Sequence, residues 1–140
     1  MIRENQLGKG VMIMVELTNT EENIMKCLWS LNKDATVADL LSSLEETFDK
    51  SYARTTISVF MSYLRDKGYV AYEKRSHAFV YHPLISEESY QKEMLKRHLE
   101  RYFNNSLPAF VEAILVNLEP DEKTSDEILR IMTDYRAKLG

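Results

Sequence analysis

Residues 50–83 read KSYARTTISVFMSYLRDKGYVAYEKRSHAFVYHP, and the fold turns on how this stretch divides. Ile57, Phe60, Met61 and Leu64 recur at i, i+3, i+4 and i+7, the spacing that aligns side chains on one face of an α-helix. Thr55, Ser58, Val59 and Ser62 therefore point the other way, with Arg54 at the start of the helix. An exposed helix face is usually filled with Glu and Lys; short hydroxyls and a valine instead let the backbone come close to another surface. Lys67 and Gly68 end the helix, a cation in the last turn and a glycine free to take the left-handed conformation after it. Two segments rich in Val, Tyr and Phe follow, residues 69–74 and 78–82, joined by Arg75, Ser76 and His77. They predict a hairpin, which Pro83 ends because it has no N–H to donate to a ladder. A helix and then a basic hairpin is the order in which many DNA-binding domains present a recognition helix, here 53–67, and a wing, here 69–82.

Working outward, the chain is helical on both sides. Thr18-Asn19-Thr20-Glu21 has the capping-box spacing, and Ile24, Leu28 and Leu31, with Met25 and Trp29 beside them, form the apolar stripe of a first helix. Thr36-Val37-Ala38-Asp39 opens a second, with Leu40, Leu41 and Leu44 on its apolar face. Ahead of Leu17 there is no clean period, so residues 1–16 predict an arm with a short strand within 11–15. Beyond Pro83, Ser86-Glu87-Glu88 and Ser106-Leu107-Pro108 begin two more helices, and Thr124-Ser125-Asp126-Glu127 has the spacing of a third capping box. The expected architecture is mainly α with a small β-wing: a winged helix-turn-helix domain at 17–83 and a C-terminal helical arm at 84–140. The apolar residues of that arm, Leu95, Leu99, Tyr102, Phe103, Phe110, Ile114, Leu118, Ile128, Ile131 and Met132, are too many for three helices to bury alone, which points to dimerisation of two arms.

The composition bounds the partners. A chain of 140 residues with 44% hydrophobic content can bury a core without staples, and a single cysteine, Cys27, forms no internal disulfide. The absence of a signal-like segment or a long apolar run makes the cytoplasm the expected compartment, with no membrane partner. The formal net charge of −4 is unevenly spread. Residues 1–50 carry five basic and nine acidic groups, residues 83–140 eight and eleven, but residues 51–82 carry five basic and only two acidic. The one net-positive block is the helix and hairpin, as a nucleic-acid footprint requires.

In order and spacing these blocks resemble the penicillinase-repressor (BlaI/MecI/CopY) family of winged-helix transcriptional repressors. The matching residues are Leu17-Thr18 with Glu21, Ile24-Met25-Lys26, Leu28-Trp29, Ala35-Thr36-Val37 with Asp39, Thr56-Ile57, Leu64, Lys67-Gly68, Phe79-Val80-Tyr81, Pro83 and Tyr90. The resemblance implies a homodimer on a double-stranded DNA operator of two-fold symmetry, joined through the C-terminal helices. Departures stand beside the matches: Tyr63 where the family usually has Arg, Val59 where Thr is common, and Ser76-His77 where the wing tip is often Gly-Arg. The Cys-x-Cys cluster of copper-responsive relatives is absent, and Ala113-Ile114 stands where β-lactam-responsive relatives carry a cleaved Asn-Phe bond. Release by a regulatory protease of other specificity or by an unknown inducer is left open.

The expected DNA surface is therefore Arg54, Thr55, Thr56, Ser58, Val59 and Ser62 on the helix, with Lys74, Arg75 and His77 on the wing. Arginine suits a phosphate or a guanine edge, hydroxyls suit either, and valine suits a thymine methyl. No catalytic constellation, cofactor motif or metal-ligand spacing appears; His77, His82, His98 and Cys27 are scattered, and Cys27 falls on the packed face of the first helix. The acidic total keeps one alternative alive, a winged-helix protein-interaction module without sequence-specific DNA binding.

Overall fold

Reciprocal caps set where the first two helices start. The Glu21 N–H donates to Thr18 Oγ1 at 3.3 Å and the Thr18 N–H donates to Glu21 Oε1 at 2.8 Å, opening α1 (Asn19–Leu31). Thr36 and Asp39 repeat the exchange at 3.2 and 3.0 Å for α2 (Val37–Phe48). The two helices stop on Asn32 and Asp49, both left-handed, a conformation their short polar side chains tolerate. α3 (Arg54–Asp66) then runs to Lys67. Three of its four stripe residues, Ile57, Met61 and Leu64, are fully buried, as are Ile24, Met25 and Leu28 of α1 and Leu40 and Leu44 of α2, while Phe60 is half-buried. Each such side chain contributes about 1.5–3 kcal/mol by leaving water. Cys27 is buried in the same core.

This computed structural model describes residues 2–4 and 12–140. Ahead of α1, β1 (Ile2–Glu4) pairs antiparallel with β2 (Met12–Met14); the second of these is the expected short strand, and the first had no signal in the sequence. After α3 come β3 (Val70–Arg75) and β4 (Ala78–Pro83), in register from Val70↔Pro83 to Arg75↔Ala78. Arg75 thus belongs to the ladder, and the tip is the two residues Ser76 and His77, with Ser76 left-handed at φ 55°. Pro83 occupies the last pair of the ladder, a strand terminus where its missing N–H costs nothing. A third strand-like contact locks the wing down: Ala35 and Tyr81 exchange backbone hydrogen bonds at 3.0 and 2.8 Å.

The end of α3 is tied to the start of α1 by a buried charge. Glu21 is 1% exposed, and Lys67 Nζ donates to its Oε1 at 2.6 Å and to the Glu16 carbonyl at 3.5 Å. Tyr69, the next buried residue, donates its hydroxyl to the Val15 carbonyl at 2.6 Å. Burial pushes the Glu21 carboxyl up, but the hydrogen bonds from Lys67 and Thr18 and the ammonium charge outweigh it and hold the group below its ordinary value.

The chain divides into two units, residues 1–93 and 94–140. α4 (Glu87–Phe103) begins in the first, where Ser86 Oγ accepts the Ser89 N–H at 3.1 Å and Tyr90 lies between Trp29 and Tyr69, with ring centroids 5.6 and 5.9 Å away. The Tyr90 hydroxyl donates to Glu22, and Trp29 Nε1 donates to the Ile85 carbonyl at 2.9 Å. The second unit adds α5 (Leu107–Leu118), capped by Ser106 with Pro108 in its first turn, and α6 (Glu122–Leu139). The capping box expected at residues 124–127 does not form. Asp121, directly after Pro120, already accepts the Thr124 N–H at 2.8 Å, so the helix starts before Thr124 and places it inside the first turn.

Removing the Glu21 carboxylate strands a partly buried ammonium. Glu21→Ala should lower the unfolding free energy in urea by about 3 kcal/mol, the low end for a broken buried pair because a quarter of the Lys67 side chain reaches water. A depressed carboxyl pKa stabilises the fold above the unfolded-state value, and that contribution disappears as pH falls through the folded one. Wild type should therefore lose more stability than Glu21→Ala as pH drops below about 4.5. Parallel losses would show that Glu21 is not the coupled group.

Candidate nucleic-acid interface

With one face of α3 in the core, the opposite face is left to solvent. Arg54, Thr55, Thr56, Ser58 and Val59 are all exposed, Val59 by 48%. Among the described residues, the side chains of Arg54, Thr55 and Thr56 have no hydrogen-bond or ion-pair partner within the chain. The helix end they surround is also unlike its neighbours: α1, α2, α5 and α6 have side-chain caps, whereas α3 starts at Ala53 with no cap and no acidic residue in its first turn. Its first-turn N–H groups and the positive end of its dipole face outward, which suits an anion such as a phosphate. Ser62 is further in. It is half-buried and donates its hydroxyl to the Ser58 carbonyl at 3.2 Å, so its proton is already committed.

The wing residues divide in the same way. Lys74 and His77 are exposed at and beside the tip. Arg75 is exposed but engaged: Nη2 donates to Asp34 Oδ2 at 2.7 Å, and Nε donates to Glu73 Oε1 at 2.7 Å. The hydrogen bond to Glu73 is the main cause of its raised pKa, with Asp34 adding to it. Asp34 lies in the turn between α1 and α2, a separation in sequence at which no local pattern signals a pair.

Two neighbours of this surface carried no expectation or a different one. Arg65 lies on the same face as Ser58 and Ser62, seven and three residues on, a spacing visible in the chain. Tyr72 was expected to pack the sheet on the helices; it is 41% exposed, whereas Val70 on the same strand is buried.

In the second unit the ten residues read as an apolar arm stay largely in water within one chain. Leu95, Tyr102, Ile114, Leu118, Ile131 and Met132 are exposed, while Leu99, Phe103, Phe110 and Ile128 are half-buried, with Phe103 and Phe110 edge-to-face at 4.9 Å. Val111, Leu115 and Leu129 extend the apolar surface and line a groove between α5 and α6. Among the described residues, no helix is long and apolar enough to cross a membrane.

Residues 17–134 match the family described as Penicillinase repressor. The penicillinase repressor of Bacillus licheniformis is 23% identical over 121 residues, spanning 86% of this chain and 92% of that protein. Among solved structures, the complex structure of hsRosR-S4 has a TM-score of 0.52 at 16% identity and covers 89% of this chain and 94% of its own. The solution structure of the DNA-binding domain of the repressor BlaI has a TM-score of 0.47 at 24% identity, covering 56% and 92%. The family match bears out the resemblance read from the residues, and the fold has the expected form, helices with a two-stranded wing. Members of this family are transcriptional regulators, not enzymes.

The free state of Arg54 and the engaged state of Arg75 separate two residues that look alike in sequence. Titrated against the duplex the protein enriches from a random library, Arg54→Ala should bind roughly tenfold more weakly. Arg75→Ala should lose less, because reaching DNA requires Arg75 to leave Asp34 and Glu73. Equal losses at both positions would show that the two carboxylates do not restrain it.

Proposed function

This chain belongs to the penicillinase repressor family, and from that premise we propose that it is a homodimeric, sequence-specific DNA-binding transcriptional repressor. The observation that carries the proposal is the partner-free, uncapped N-terminal face of α3, set in the one net-positive stretch of an acidic chain. α3 enters the major groove with Arg54, Thr55, Thr56, Ser58 and Val59 toward the base edges, and Ser62 at the margin. Arg54 bridges a phosphate or a guanine edge, the hydroxyls take phosphate oxygens or bases, and Val59 meets a thymine methyl. The wing lays Lys74, His77 and, once released, Arg75 along the backbone, so affinity falls with salt through counterion release.

The C-terminal helices form the dimer. The exposed apolar residues Ile114, Leu118, Ile131 and Met132 are the surface that a second copy covers. A two-fold protein reads a two-fold operator, with half-sites about 10–10.5 base pairs apart or a multiple of that spacing. Ala113 and Ile114 lie within α5, so a regulatory protease acting there needs that helix opened first.

The test is selection of bound duplexes from a random library at moderate salt, with the retained complex sized by sedimentation. We expect a palindrome bound by two chains. Failure to enrich any motif would contradict the proposal and favour the protein-interaction reading of the same fold. A monomer on an asymmetric site would remove the dimer.

A further inference from the structure

Between the C-terminal half of α3 and the wing lies a cleft floored by the buried Met61 and Tyr81 and rimmed by Ser58, Arg65, Tyr72 and Phe79. Arg65 stands over Tyr72, its guanidinium carbon 5.2 Å from the ring centroid, and Nη1 donates to the phenol oxygen at 3.1 Å. Tyr72 is itself held across the hairpin, edge-to-face with Phe79 at 5.1 Å and tilted against Tyr81 at 6.0 Å. The guanidinium is thus oriented by a ring that is fixed in turn. Asp66 is the one carboxylate paired with it among the described residues, at 3.5 Å, and its side chain is 69% exposed, too loose and too wet a pair to neutralise the charge. The Ser58 hydroxyl, on the same rim, has no partner among the described residues.

The position of this cation decides its ligand. Arg54 and Arg65 are eleven residues apart, roughly 16 Å along the axis at 1.5 Å per residue. In the proposed reading the N-terminal residues of α3 meet the base edges, so Arg65, at the other end of the helix and beside the wing, is placed toward the sugar–phosphate backbone. A planar, pre-oriented guanidinium matches a phosphate in two hydrogen bonds. Tyr72 and Phe79, 41% and 47% exposed, offer the adjoining apolar surface that a deoxyribose takes.

We propose that this cleft is a phosphodiester site, in which Arg65 holds one backbone phosphate where the strand passes from α3 to the wing and Tyr72 is the residue that positions Arg65. The proposal rests on the DNA-binding reading above. Its role is grip without sequence choice. Losing it weakens every duplex alike, in contrast to the losses expected at the N-terminal end of α3.

The test is a salt series on the full chain with two duplexes of equal length, one enriched from the random library and one scrambled. Arg65→Ala should weaken both by the same factor, roughly five- to tenfold, and reduce the slope of log affinity against log salt by about one. Arg65→Lys should restore the slope. Tyr72→Phe keeps the ring and should lose roughly two- to fivefold with the slope retained. One neutral methylphosphonate substitution should weaken wild type and leave Arg65→Ala no weaker. If Arg65→Ala binds like wild type while Arg54→Ala is weakened, the cleft is not a phosphate site and the DNA reading survives. A loss confined to the enriched duplex would make Arg65 a base reader and overturn the proposal equally. A wild-type chain that retains no duplex would remove both.

Discussion

Glu21 is buried, and one of its oxygens, Oε1, accepts both the N–H that opens α1 and the ammonium of Lys67 beyond the end of α3. Its other oxygen has no hydrogen-bond partner among the described residues, a desolvation cost that persists only because the shared oxygen is so well bonded. Apolar burial of Ile57, Met61 and Leu64 decides which side of α3 faces outward, and so which residues a ligand can meet. Apolar contact is non-directional, however, and leaves some freedom to slide. The ion pair beyond the end of the helix opposes that sliding by tying α3 to the start of α1.

The wing depends on the same frame. Tyr69 follows Lys67 by two residues and donates to the strand-to-helix connection at Val15, and β3 begins at the next residue. β4 is then pinned by the Ala35–Tyr81 exchange, and Arg75 by Asp34 one residue earlier in the same turn. The wing is therefore held at its base by backbone hydrogen bonds and at its tip by a solvent-exposed ion pair. The first survives salt and the second weakens with it. Neighbouring carboxylates on α1 take up separate tasks, since Glu21 binds the end of α3 while Glu22 accepts the hydroxyl of Tyr90 in the first turns of α4.

What could be read from the chain follows from the range of the interaction involved. The buried stripe of α3, the caps at Thr18 and Thr36 and the hairpin at residues 69–82 are patterns spanning a few residues, and the structure realises them. The box at residues 124–127 misled because Asp121 competes for the same N–H groups and stands earlier, so local spacing alone could not choose between them. Arg75 read as a wing cation for DNA and Lys67 as the cation that ends α3, and their partners Asp34 and Glu21 lie more than forty residues away, beyond any local pattern. The cleft at Arg65 was half legible. Its place on the Ser58 and Ser62 face was in the spacing, but the ring of Tyr72 beneath it depends on where the wing folds back.

In the proposed function one surface, the outward face of α3 with the wing, meets duplex DNA, while the C-terminal helices meet a second copy. Hydrogen exchange along the full chain, with and without the duplex it selects, tests this most directly. DNA should slow exchange in residues 53–66 and 70–82, and α5 and α6 should already be protected in the free dimer and change little. Protection that appears on α5 and α6 with DNA, while α3 and the wing exchange as before, would contradict it.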